Sequence, residues 1–111
     1  MLYGLKTDKM TELYINRRYF MSYIIVKIQV EDLKTFREVY NSAIPIRAAA
    51  GCTNDECVLH NSIEPNSLTI LQEWESPEHA SKFFSREDIR EKMKTAGVLG
   101  PPDIQHFELV S

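Results

Sequence analysis

Residues 23–30, Tyr-Ile-Ile-Val-Lys-Ile-Gln-Val, run directly into Glu31-Asp32-Leu33, and this junction decides how the rest of the chain is read. The eight residues are rich in β-branched side chains, which suit a pleated, half-buried strand. Side chains alternate along a strand, so Ile24, Val26, Ile28 and Val30 form one wholly apolar face, while Tyr23, Ile25, Lys27 and Gln29 form a mixed one. Asp32 then supplies a carboxylate cap for a helix in which Leu33, Phe36, Tyr40 and Ile44 recur at helical spacing. Pro45 must kink or restart that helix, and Gly51 supplies a left-handed cap at its end.

Working outward, a second strand is expected over residues 56–61, a turn at Glu64-Pro65-Asn66, and a third strand over residues 68–75, the two strands pairing as a hairpin. Ser76-Pro77 is a helix start, a hydroxyl cap followed by proline at the first helical position. Ser85, with Asp88 three residues on, marks a second cap and hence a break near Ser85. Ile89, Met93 and Ala96 give the next helix its apolar stripe, and Gly97 ends it. Residues 98–102, Val-Leu-Gly-Pro-Pro, read as a loop leading to a last strand over 103–110. The order βαββαβ defines an α+β, ferredoxin-like domain with a four-stranded antiparallel sheet. All its helices cover one sheet face. The mixed side of the first strand is then left for a second copy of the chain, which predicts a homodimer through the sheet face.

The chain has 111 residues, 43% hydrophobic and 26% charged, which suits one small domain. The domain is placed at residues 22–111. Residues 1–21, with Met1, Met10 and Met21 as alternative starts and no clean apolar period, form an N-terminal extension that folding is expected not to need. A net charge of −3 with scattered Lys and Arg argues against a nucleic-acid partner. No apolar run approaches a membrane span, and no signal-peptide pattern opens the chain, so no membrane partner and a cytoplasmic address are expected. Cys52 and Cys57 are expected as buried or half-buried free thiols, since two thiols without clustered histidines make a poor zinc site.

With the elements placed, the stretch from Ser22 to Val110 resembles the antibiotic biosynthesis monooxygenase-like domains of the dimeric α/β-barrel superfamily. The resemblance rests on Ala50-Gly51-Cys52, Pro65-Asn66, Glu73-Trp74, and Ala80 with Phe84, in that order and spacing. It implies a homodimeric barrel in which two sheets meet face to face, with a pocket between the sheet and helices of each subunit. That superfamily holds cofactor-free oxygenases, haem-degrading enzymes, isomerases, polyketide cyclases and proteins with no known reaction, so the fold alone does not choose the chemistry. The haem-degrading pattern needs an asparagine on the first strand and a histidine about ten residues past the tryptophan. This chain has neither, since Phe83 and Phe84 occupy the histidine's region.

The leading activity that the resemblance implies is a cofactor-independent monooxygenase-like one on a small aromatic or polyketide-like compound. It requires an apolar cavity, a group to polarise or deprotonate the substrate, and restricted water access. Phe36, Tyr40, Phe83 and Phe84 are the expected walls. Trp74 matches the family's strand-end tryptophan and reads either as a catalytic-pocket residue or as a core anchor. Gln72 shares its face and needs hydrogen-bond partners if buried. Arg47 is a candidate to hold an anionic oxygen or, alternatively, a cation at a helix end. His79 is the candidate base, in a first helical turn that disfavours its charged form. His106, on the last strand, is a further substrate-binding candidate. A cyclase or isomerase using His79 or His106, and a non-catalytic small-molecule binding protein, are the alternatives. No glycine-rich phosphate loop, HExxH, GxSxG or paired CxxC is present, so neither a cofactor nor a metal is expected.

Overall fold

A computed structural model describes residues 21–111. The N-terminal extension, Met21 apart, lies outside the described residues. The elements are β1 (Ser22–Val30), α1 (Leu33–Ser42), α2 (Ile44–Ala50), β2 (Cys52–His60), β3 (Ser67–Trp74), α3 (Pro77–Phe84), α4 (Glu87–Thr95) and β4 (Val98–Phe107). The four strands form one antiparallel sheet in the order β2-β3-β1-β4, with β1 paired to both β3 and β4. This is the split arrangement of the ferredoxin-like fold, with each helical region in two pieces.

The alternation in β1 is realised as read. Ile24, Val26, Ile28 and Val30 are buried, as are Leu68, Ile70, Gln72 and Trp74 on β3. Phe36, Ala80, Phe83, Ile89 and Ala96 close over them from the helices as one cluster. Each large apolar side chain so removed from water contributes on the order of 1.5–3 kcal/mol. No helix among the described residues is long and apolar enough to cross a membrane.

The helix boundaries follow local chemistry. Asp32 caps α1, its carboxylate accepting from the Thr35 N–H at 2.9 Å. The break before Pro45 falls at Ala43, and Pro45 sits in the first turn of the restarted α2, where its missing N–H would have no partner in any case. Gly51 ends α2 at φ +113°. Ser76 caps α3, its hydroxyl accepting from the His79 N–H at 3.1 Å.

Four expectations need correction. The Ser85–Asp88 cap is not made: Ser85 donates to the Ser81 carbonyl, Asp88 pairs with Arg86, and α4 begins after Arg86 without a side-chain cap. β2 starts at Cys52, four residues ahead of its expected start, because two irregularities in its pairing with β3 let the polar segment Thr53-Asn54-Asp55 remain in the sheet. β4 starts at Val98 and ends at Phe107. Gly100, at φ +71°, lets the chain bulge between the Gln29–Leu99 and Lys27–Asp103 pairs, so Gly-Pro-Pro interrupts the ladder without ending the strand. The two thiols also differ: Cys52 is buried opposite Trp74, whereas Cys57, opposite Leu71, is exposed.

Of the described glycines, Gly51 is the most crowded. A Cβ there would lie 2.9 Å from His79 Cδ2, on top of the cost of positive φ. Gly51→Ala should therefore destabilise the domain by about 1–3 kcal/mol. Urea unfolding would read this as a lowered midpoint at unchanged slope; an unchanged midpoint would show that α2 ends without needing the left-handed residue.

Candidate functional site

Between the apolar face of the sheet and the helices lies a cavity of about 80 Å³. Val26, Ile28 and Ile70 form its floor, and Phe36, Tyr40, Phe83, Phe84 and Met93 its helical walls, with Arg47, Gln72 and Lys92 as polar lining. Phe36 and Tyr40, four residues apart on α1, stack with ring centroids 5.3 Å apart. They also border a broader cleft of about 480 Å³ between α1, α2 and β2, which includes Arg37, Asp55, Val58 and His60. The stacked pair and Arg47 are common to both spaces.

The polar side of the cavity is one connected network. The Trp74 indole N–H donates to Gln72 Oε1 at 2.8 Å, and Gln72 Nε2 donates to the Tyr40 hydroxyl at 2.9 Å. The hydroxyl donates in turn to Asp55 Oδ1 at 3.2 Å. Asp55 also accepts from Arg47 Nε at 3.0 and 3.2 Å to its two oxygens, and from Cys52 Sγ at 3.6 Å. Arg47 is 3% exposed. Its Nη1 donates to the Tyr40 carbonyl at 2.9 Å, and the Tyr40 ring covers the guanidinium with its centroid 3.7 Å from Cζ. Nη2 is buried with no hydrogen-bond partner among the described residues, a state that costs about 1–3 kcal/mol.

Burial pushes the Tyr40 phenol up to about 12, against a lowering by the Gln72 hydrogen bond. Burial, reinforced by the Asp55 charge, pushes the Cys52 thiol up to about 12 as well. Both therefore stay protonated at neutral pH. Cys52, buried and held against Asp55, is placed as a packing thiol.

Of the residues expected at a site, Phe36, Tyr40, Arg47, Gln72, Phe83 and Phe84 come together around the cavity. Trp74 does not line it. It is fully buried behind the wall, packed against the Phe83 and Phe84 rings at 5.0 and 5.9 Å and hydrogen-bonded to Gln72. His79 lies elsewhere, its Nδ1 2.6 Å from Ser76 Oγ, its ring against Gly51 and its side chain 48% exposed. His106 is exposed on the edge strand β4, opposite Ile24 and outside the cavity. Neither histidine can serve chemistry there. Asp55 was not foreseen, because the irregular start of β2 hides it from any alternation rule. The signal available was a lone arginine on the otherwise apolar helix Ile44–Ala50, which requires a nearby carboxylate if it is buried. Among the described residues, no group of three or more His, Cys, Asp or Glu is placed to hold a metal ion.

This architecture is the fold of the antibiotic biosynthesis monooxygenase-like proteins. A Bordetella bronchiseptica protein called an antibiotic biosynthesis monooxygenase by name alone shares 23% identity at a TM-score of 0.68, the match covering 82% of this chain and 98% of that one. SnoaB from Streptomyces nogalater, a cofactor-independent oxygenase, shares 11% identity at a TM-score of 0.66 over 82% of this chain and 94% of its own. A conserved protein from Methanosarcina mazei shares 18% at 0.67, covering 85% and 97%. At these identities the likeness is one of fold. No family model matches the chain, and no curated protein matches it in sequence.

The raised phenol and thiol fix the alkaline behaviour. In the unfolded chain Tyr40 and Cys52 lose their protons near their ordinary values of 10.0 and 9.0, whereas the folded chain holds them to about 12. The unfolded state is thus favoured as pH rises through that window, so stability present below pH 9 should decline from about pH 9 to 12. Tyr40→Phe should flatten the decline above pH 10. Denaturant unfolding across this range measures it, and an unchanged slope would place Tyr40 outside the proton linkage.

Proposed function

We propose that the protein is a cofactor-independent monooxygenase-like enzyme acting on a small aromatic or polyketide-like compound held in the cavity between sheet and helices. The observation that carries this reading is an apolar, aromatic-walled cavity bounded on one side by a buried guanidinium, an amide and a phenol. Such walls suit a flat ring and keep water from it. An electron-rich phenolic substrate with an activated CH2 carbon can itself supply the electrons: the carbon loses two hydrogens and gains one oxygen as a carbonyl, while the second oxygen atom leaves as water. The shared fold with SnoaB supports the reading. The free thiols Cys52 and Cys57 fit a cytoplasmic setting.

A second reading, a small-molecule binding protein without a reaction, is favoured by one observation. The carboxylate and phenol nearest the cavity are committed to each other and to Arg47, which leaves neither idle as a base. The cyclase or isomerase alternative loses its base, since His79 and His106 both lie off the cavity. Oxygen uptake with a panel of phenols and quinols tests the first reading. Consumption of one O2 per oxidised substrate without added cofactor is expected; a compound that binds and is recovered unchanged, with no oxygen consumed, would leave the binding reading alone.

The working unit in this reading is a homodimer through the uncovered sheet face. That face carries half-buried Ile25 and Leu71 with exposed Leu59, Leu99 and Phe107, more apolar surface than a solvated sheet presents. Light scattering at micromolar concentration should give twice the chain mass, and Leu71→Glu should halve it. A monomeric parent protein whose stability is unaffected by dilution would remove the dimer.

A further inference from the structure

We infer that Arg47 is the specificity-determining residue of the cavity, and that it selects compounds presenting a neutral carbonyl-type acceptor oxygen over carboxylates. The inference rests on the reading of the cavity as a ligand site. It begins from the donors and acceptors around that space. Asp55 accepts from Arg47, Tyr40 and Cys52; the Tyr40 hydroxyl accepts from Gln72 and donates to Asp55; Gln72 Oε1 accepts from Trp74. The acceptors of the network are engaged. What is left over is a donor, the partnerless buried Nη2 of Arg47, a residue that lines the cavity. A ligand that completes the network must therefore bring an acceptor.

Charge decides which kind. Arg47 and Asp55 already form an ion pair at 3.0 Å, so the polar side of the cavity is close to neutral. A ligand carboxylate would introduce a second negative charge near Asp55 and would lose its own hydration on entering the apolar cavity. A ketone or quinone-type oxygen takes the same N–H bond without either cost, and a charged donor makes that bond stronger than a neutral pair would. The Tyr40 ring covers one face of the guanidinium, so the oxygen meets the group edge-on, in the plane where its N–H bonds point. A small shift of the lining side chains admits it; Met93, unbranched, is among them. The half-buried Lys92 is the other cation among the described lining residues.

Three probes on one bicyclic skeleton separate the terms: indane, 1-indanone and indane-1-carboxylate, titrated into the full chain and followed by backbone amide NMR shifts. The ketone should bind about tenfold or more tighter than the hydrocarbon, with shifts clustered at the cavity, and the carboxylate should bind more weakly than the ketone. In Arg47→Lys, which keeps a cation for Asp55 but loses the guanidinium fork, the ketone's advantage over indane, both measured in the same variant, should shrink to about twofold or less. If that variant does not fold, the paired replacement Arg47→Met with Asp55→Leu removes both charges together and should abolish the advantage in the same way. Equal binding of ketone and hydrocarbon to the parent protein would overturn the inference while leaving the cavity as a ligand site. So would tighter binding of the carboxylate, which would hand the selection to Lys92 or to an uncompensated Arg47. If none of the probes perturbs the cavity amides, the ligand-site reading fails and the inference falls with it.

Discussion

A guanidinium taken out of water is the constraint around which this small domain is arranged. Removing an ion from water costs several kcal/mol, and the cost is met only where an opposite charge and further hydrogen bonds are held in place. Arg47 meets it locally: the carboxylate of Asp55 comes eight residues later in the chain, and the carbonyl of Tyr40 seven residues earlier. The pair joins the end of α2 to the start of β2 across the Gly51 turn. It also holds Tyr40 flat against the arginine, so the aromatic wall of the cavity is set by the same contacts that stabilise the charge. Truncating Asp55 would leave Arg47 buried without its counter-charge, and the layer would lose its orientation along with its ion pair.

The cavity follows from this arrangement. A sheet face of Val26, Ile28 and Ile70 and a helical layer of Phe36, Phe83 and Met93 could in principle close completely. Arg47 and Gln72 prevent it, since each is fixed by its own hydrogen bonds and cannot slide to fill space as an alkyl chain would. Trp74 matters here at one remove. Its indole holds the Gln72 carbonyl, which leaves the amide nitrogen turned to Tyr40. A residue that touches no cavity atom thus sets the polarity of the group that does.

Much of the fold was legible because its signals are local. The alternation from Ile24 to Val30, the proline in the first turn of α2, the glycine at Gly51 and the Ser76-Pro77 start each act within a few residues. The aromatic lining was legible too, because helical spacing puts Phe36 and Tyr40 on one face. Other features depend on tertiary context. Ser85 and Asp88 have the spacing of a cap, but a neighbouring arginine competes for the carboxylate. Thr53-Asn54-Asp55 has poor strand propensity and stays in the sheet only because its partner strand tolerates irregular pairing. Asp55 was lost with it, and so was the meaning of Arg47, which on its own reads as a helix-end cation. His79 and His106 drew attention for their chemistry, yet what decides a histidine's role is the space it faces.

The irregularity in β4 bears on how copies of this protein can meet. β4 is an edge strand, and an edge offers a row of unpaired amides to any passing strand. Pro101 and Pro102 have no N–H to offer such a strand, and the bend at Gly100 turns the backbone out of line. Strand-by-strand growth along that side, the route by which sheets propagate into fibrils, is blocked by the same three residues that resemble a loop in the sequence. That rim of the sheet thus carries its own guard against edge-to-edge pairing, written into the chain by its least strand-like residues.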